Sequence, residues 1–273
     1  MAKYDFVMTN DEIQIFKVKK SGVVKQRSIV KNKLTDRIFE DFKNIEEHSK
    51  AFLKFWFNEI KNVKWLNVDG YVFDIENNII TKDGEELPFK GPASNAIIKF
   101  VFGLLNVNER TVEIELKSFI AFIEKLQQTD SFSILNELYL FIKNNDIEIS
   151  ETGDVICYKV VDPEYKDLYT HTISNKVGEI VEMDRKLISD DRTQTCSYGL
   201  HAASLKYLRE SGYGAYEDNH LMKIVVNPAD FVSVPIDYDG AKARVCKYTV
   251  VDEIDINQIL PEYSTNCEGY IVH

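Results

Sequence analysis

The sequence is poor in the residues that mark export, a thiol framework or a membrane span. Only four cysteines occur in 273 residues (Cys157, Cys196, Cys246 and Cys267), and no two form a C-x-x-C pair. So few, so scattered, they read as reduced thiols in a cytoplasm and exclude a disulfide scaffold. The N-terminus, MAKYDFVMTNDE, carries acids early and has no apolar core of signal length, so export is not expected. The longest apolar run, IIKFVFGLL from Ile97 to Leu105, is interrupted by Lys99 and is far too short to cross a bilayer. Positive charge is also scarce. Lys and Arg total 33 against 44 Asp and Glu, a net charge of -11, so the surface as a whole repels nucleic acid and anionic membrane. Sequence-specific nucleic-acid binding is therefore not expected. Internal repeats and low-complexity segments are missing too.

What remains is a globular composition. Hydrophobic residues make up 44% and charged residues 28% of the chain, enough to bury a real core in one large or two modest domains. One segment reverses the acidic balance. Between Ile13 and Leu34 lie seven basic residues and no acid. Lys17, Lys19, Lys20, Lys25 and Arg27 are the candidates for contact with an anionic surface, phosphate or lipid headgroup. The plainer reading is a solvated strand or loop.

Apolar and basic positions alternate through IQIFKVKKSGVVKQRSIV, which predicts a hairpin turning at Ser21-Gly22. A helix is expected from about Asp36 to Asn62 on the 3.6 period of Ile38, Phe39, Phe42, Ile45, Phe52, Leu53, Trp56 and Ile60. Asp69-Gly70, Asn77-Asn78 and Asp83-Gly84 then punctuate a small β-meander. Three helices follow, Ala93–Leu105, Val112–Gln127 and Ser131–Lys143, whose aromatic stripes read as core. After Asn145 the texture turns β-rich. A strand lies in VICYKVV, a short helix spans about Ala203 to Glu210, and three strands fill 220–254, the last pair closed tightly at Asp239-Gly240. The expected organisation is a basic hairpin and helix over 1–63, a meander plus helices over 64–145, an α+β domain over 146–260 and a tail over 261–273. The fold class is α+β, with a helical layer in the middle and a mixed C-terminal domain.

Chemistry concentrates in DRTQTCSYGLHAAS, Asp191 to Ser204. Cys196 and His201 could bind zinc with His171, His220, Cys157 or Cys246, but no second close pair exists and no metal is expected. A Cys196–His201 nucleophile pair lacks any local protease signature. Structurally, Gly199 can take positive φ while Thr193, Thr195 and Ser197 satisfy backbone groups, making the stretch a turn that feeds a helix. As a pocket, it would use His201, Thr195 and Tyr198 for polar groups and Tyr158 or Tyr213 as an aromatic wall. No catalytic set is assigned and no cofactor is expected.

The strand CYKVVD, then KVGEIVEM and SYGLHAAS, resembles the arrangement in ADP-ribosyltransferase-like domains, where a Gly-Leu-His segment flanks a dinucleotide cleft. That resemblance implies an acidic catalytic residue, for which Glu210 and Glu217 are the local candidates, or a nucleotide sponge acting on NAD-derived or signalling nucleotides. A longer resemblance is carried by NNDIEISETGDVICYKVV, VGEIVEMDR, DDRTQTCSYGLHAAS and KIVVNPADFVSVPIDYDGAKARVCKYTVVDE, in that order over residues 144 to 255. These segments resemble the rIIB rapid-lysis protein family of T-even phages, with weaker similarity back to about Trp65. The resemblance implies a phage protein acting with an rIIA-like phage partner or on a host defence protein. It also implies a role in lysis timing or in overcoming exclusion, in the host bacterial cytoplasm at the inner face of the inner membrane. It carries over no enzymatic activity and no catalytic residue set, and it leaves the oligomeric state open.

Overall fold

A computed structural model describes residues 2–32, 34–43, 50–59, 65–104, 109–194, 197–236 and 240–260. The chain forms two compact units, 1–120 and 121–273. Its secondary structure is mixed helix and antiparallel sheet, an α+β fold.

The first unit opens with β1 (Lys3–Met8), β2 (Glu12–Val18) and β3 (Val24–Val30), an antiparallel sheet in sequence order. The expected hairpin is β2–β3, closed by the amide of Gly22 donating to the carbonyl of Lys19 at 3.0 Å. It is joined by β1, whose alternating KYDFVM pairs Tyr4 with Lys17 and Met8 with Ile13. Period-2 alternation puts Tyr4, Phe6, Met8, Ile13, Ile15 and Ile29 on one face. That face is covered by α1 (Asp36–Lys43) and α2 (Lys50–Glu59), which supply Phe39, Phe42, Leu53 and Phe57. The single helix expected over 36–62 is thus two described helices, with 44–49 and 60–64 outside the described residues.

A four-stranded meander follows: β4 (Trp65–Val68), β5 (Tyr71–Asp74), β6 (Ile79–Lys82) and β7 (Glu85–Glu86). Its turns use Asp69, Asn78 and Asp83 at φ of 50°, 57° and 50°, residue types that accept the left-handed region at low cost. Helix α3 (Gly91–Gly103) packs on the meander, and its Ser94 hydroxyl donates to the carbonyl of Asn78 at 2.8 Å. Helix α4 (Glu109–Leu126) contains the division between the units.

In the second unit, α5 (Phe132–Asn144) starts at an N-cap, where the hydroxyl of Ser131 accepts from the amide of Ile134. The strands are β8 (Val155–Val161), β9 (Ile180–Glu182), β10 (Leu200–Ala203), β11 (His220–Val226), β12 (Phe231–Ser233), β13 (Lys242–Val245) and β14 (Lys247–Ile254). They form one antiparallel sheet in the order β12-β13-β10-β8-β11-β14-β9. The region expected to hold three strands therefore holds four. Only Cys246 separates β13 from β14, yet β10, β8 and β11 lie between them in the sheet. A flat sheet would set them about 19 Å apart at about 4.8 Å per strand, so the sheet curls strongly. β12 and β13 pair as expected. Their connection over 234–241 is longer than a two-residue turn, however, and Asp239 lies outside the described residues.

Helix α5 lies on one side of the sheet, with Phe141 and Phe231 ring centroids 6.1 Å apart. The short α6 (Leu205–Ser211) covers Tyr158, Val160, Ala203 and Leu221. The hydroxyl of Ser204 caps α6 at the amide of Tyr207, and Gly212 ends it in the left-handed region. Among the described residues, no helix is long and apolar enough to cross a membrane.

Candidate functional site

The stretch Asp191–Ser204 is organised around a buried guanidinium. Arg244, on β13, is 0% exposed. Its Nε donates to Ser233 Oγ at 2.8 Å, its Nη1 to the carbonyl of Gln194 at 2.8 Å, and its Nη2 to the carbonyl of Asp191. A buried charge is tolerated only when its donors are satisfied, and here the loop supplies the acceptors. Smaller bonds finish the turn. Thr193 donates its amide and hydroxyl to the Asp191 carboxylate, at 2.9 and 2.7 Å, and Ser197 Oγ donates to Gln194 Oε1 at 2.8 Å. The Thr193 hydroxyl is the main cause that holds the Asp191 carboxyl below its ordinary range. Gly199 has φ of 145°, and a Cβ there would sit 2.7 Å from Ile188 Cγ2. Glycine is required twice over, by backbone conformation and by space.

The five residues proposed for a pocket are distributed as follows. His201 is half-buried on β10, directly opposite Arg244 in the ladder and so on the same sheet face. Tyr158 is half-buried on β8 opposite Ala203, and burial pushes its phenol up. Tyr198 is 60% exposed on the loop and Tyr213 is 52% exposed beyond α6. Thr195 lies outside the described residues, as does Cys196. Cys157 is fully buried in β8, where burial raises its thiol well above the ordinary range. Among the described residues, no three His, Cys, Asp or Glu side chains are placed to hold a metal ion.

The basic arm divides into two groups. Lys17 lies over the rings of Tyr4 and Phe57, at 5.6 and 5.7 Å. Arg27 lies 4.2 Å over the Phe57 ring and donates to its carbonyl. These two cations serve the first unit's own packing. Lys19, Lys20 and Lys25 are exposed at and beside the turn, with Lys25 paired opposite Lys17.

A second constellation lies in the segment from Asp162 to Asn175. Asp162 accepts from His171 Nδ1 at 2.7 Å and from the amides of Glu164 and Lys166. The His171 bond is the largest influence holding its carboxyl down. Asp167 accepts from the amides of Thr170, Thr172 and Ile173 and from the Thr170 hydroxyl. Burial alone would push the Asp167 carboxyl up, but these four donors overcome it and bring it down to about 2. Tyr165 and His171 are held at φ of 62° and 54°, an uncommon region for bulky side chains. Tyr165 stacks on His220 with centroids 4.0 Å apart and planes at 11°. The Tyr165 hydroxyl and His220 Nδ1 meet the two oxygens of Glu253, at 3.0 and 2.7 Å, and this carboxylate pushes the Tyr165 phenol up. Beside them opens a cleft of about 480 Å³ whose rim carries Glu217, Asp218 and Asp255. Sequence reasoning missed this group because Tyr165, His220 and Glu253 come from three separate elements and share no local motif. The one local signal was the density of Asp, Thr and Tyr in DPEYKDLYTHTISN.

By sequence, this α+β chain falls in a class of bacterial virus proteins, those of the rII system. The family model for bacteriophage T4 protein rIIB matches residues 107–261. A relative from Enterobacteria phage T4, "Protein rIIB", is 31% identical over 227 residues, covering 76% of this chain and 72% of the relative. The chain belongs to the rIIB family. No solved structure matches it, so the likeness to ADP-ribosyltransferases rests on short motifs alone.

Proposed function

We propose that this protein is a phage accessory factor that modulates the timing of host lysis, or counters a host exclusion system, by binding rather than by catalysis. The carrying observation is its membership of the rIIB family over more than half its length. The use of the Asp191–Ser204 stretch supports binding over chemistry. The backbone carbonyls of Asp191 and Gln194 accept from the Arg244 guanidinium, a structural use of the loop. In this reading the partner is an rIIA-like phage protein or a host defence protein. The protein acts in the host cytoplasm, and the exposed Lys19, Lys20 and Lys25 can touch the inner face of the inner membrane.

The test is complementation. A phage lacking its own rIIB gene is supplied with this chain, and lysis time and plaque morphology are scored. Restored lysis timing is expected. A well-expressed, folded chain that restores nothing would remove the reading. Melting temperature with excess NAD separates the enzyme or sponge alternative, since ligand at a hundredfold excess over Kd adds about 2.7 kcal/mol. A binding protein with no nucleotide site shows no shift.

A further inference from the structure

We propose that segments 163–177 and 212–220 of the second unit form a docking surface for a lysine- and arginine-rich stretch of a partner protein. Three tyrosines stand out there. Tyr169 is 90% exposed, Tyr216 71% and Tyr213 52%. The two segments are held together at Gly214, where a Cβ would lie 2.6 Å from Leu168 Cδ1 and 2.9 Å from Val160 Cγ1. Only a glycine allows that approach, and it places Tyr213 and Tyr216 on either side of a contact made by the neighbour of Tyr169. The supporting loop is rigidly bonded. Asp162 and Asp167 between them accept seven hydrogen bonds from it, and two bulky residues are held in the left-handed region. Strained, over-determined backbone under exposed aromatic side chains is the construction expected of binding anchors, because the entropy of ordering them is lost before the partner arrives.

Charge selects the partner. Glu217, Asp218 and Asp255 line the adjoining cleft, and among the described residues none is ion-paired to a lysine or arginine. The remaining rim acid, Glu253, is already engaged by Tyr165 and His220. Carboxylates without cations beside exposed phenol rings suit ammonium and guanidinium groups, which gain a charged hydrogen bond and a ring face together. The same carboxylates disfavour phosphate on the cleft side of the surface, the two lysines of the first segment being Lys166 and Lys176.

The proposal rests on the reading that the chain acts by binding, and it can fail separately from it. The test uses the full chain and a fluorescent peptide of alternating lysine and arginine, with a glutamate peptide as control, followed by anisotropy. The basic peptide should bind, more weakly as salt rises. Tyr169→Ala combined with Tyr216→Ala should weaken it about tenfold, and Glu217→Gln combined with Asp218→Asn should do the same. Replacing Glu85 and Glu86 by Gln in the first unit should change nothing. No binding of the basic peptide, or equal binding by wild type and both double variants, overturns the proposal. So does a tyrosine variant that alters self-association of the chain and leaves peptide affinity untouched, because the surface would then belong to a second copy. Successful complementation alongside failed peptide binding would sink this surface and leave the proposed function standing.

Discussion

Two loops of the second unit invert what their sequences suggest. The segment 189–201 has the look of an active site, with Thr, Cys, Ser, Gly and His in close succession. Its described part nevertheless turns its carbonyls inward onto Arg244. The segment 162–175 has no recognisable motif, yet it holds two bulky residues at positive φ and gathers its backbone donors onto Asp162 and Asp167. The first loop uses neutral polar groups to satisfy the donors of a charged side chain inside the protein. The second uses them to hold a shape at the surface. Residue types that can do chemistry are the same types that cap, turn and satisfy buried groups, so their density alone does not separate the two uses.

The sharpest way to break this contrast is to remove the guanidinium. Arg244→Met keeps bulk and leaves the carbonyls of Asp191 and Gln194 and the hydroxyl of Ser233 without their donor. The expected loss is about 3–5 kcal/mol, since each stranded buried acceptor costs about 1–3 kcal/mol. Arg244→Lys should recover little, because an ammonium cannot reproduce the planar fork. Urea unfolding at neutral pH measures both. An Arg244→Met protein as stable as wild type would mean the loop does not depend on the buried charge.

Gly199→Ala strikes the same loop from its backbone. With φ of 145° and Ile188 Cγ2 2.7 Å from the new methyl, a loss of about 1–3 kcal/mol is expected. Ile188→Ala, which removes the obstructing Cγ2, costs about 2–5 kcal/mol alone, and the double variant should lose less than the sum of the two single losses.

The outward loop is tested by acid. The carboxyl of Asp167 is depressed from 3.8 to about 2 in the folded protein. A depressed carboxyl stabilises the fold fully above its unfolded value, and that contribution is lost as pH falls through the folded value. The window is therefore from about pH 4 down to about pH 2, and the contribution is about 1–2 kcal/mol once solvent screening is allowed for. Asp167→Asn should flatten that part of the stability–pH curve and lose a similar amount at neutral pH. A curve with unchanged slope between these limits would show that the loop does not depend on the charge.

Much of the scaffold was legible because its signals are local. Asp69-Gly70, Asn77-Asn78 and Asp83-Gly84 mark turns by the conformations those residues tolerate. The apolar stripes of α3, α4 and α5 mark helices by period, with ends within a few residues of those observed. What escaped depends on distant partners. Strand β1 alternates as β2 does, but its place in the sheet is set only when Tyr4, Phe6 and Met8 pair with Lys17, Ile15 and Ile13 of β2. The break at Cys246 arises because one extended stretch serves β10 and β12 first and β11 and β9 afterwards. Nothing in the sequence around Arg244 announces that a basic residue between Ala243 and Val245 will be buried, since the acceptors that make burial tolerable lie on another loop. The cluster of Tyr165, His220 and Glu253 was hidden for the same reason.

The smallest effect expected gives the finest separation of the two loops. Tyr198 and Tyr169 are both exposed, at 60% and 90%, so alanine at either should change stability by less than about 0.5 kcal/mol. Their consequences for function should differ. If the inward loop is structural only, Tyr198→Ala complements an rIIB-deficient phage as well as wild type does, and His201→Ala acts through stability alone, at about 1–3 kcal/mol. If the pocket built from Tyr158, Tyr198, His201 and Tyr213 serves the function, both variants lose complementation while Tyr198→Ala melts like wild type. Tyr169→Ala reports on the other loop in the same assay. A stable Tyr169→Ala protein with altered lysis timing, beside a fully active Tyr198→Ala, would assign function to the surface that the sequence left unmarked. The reverse result would return it to the glycine-histidine stretch.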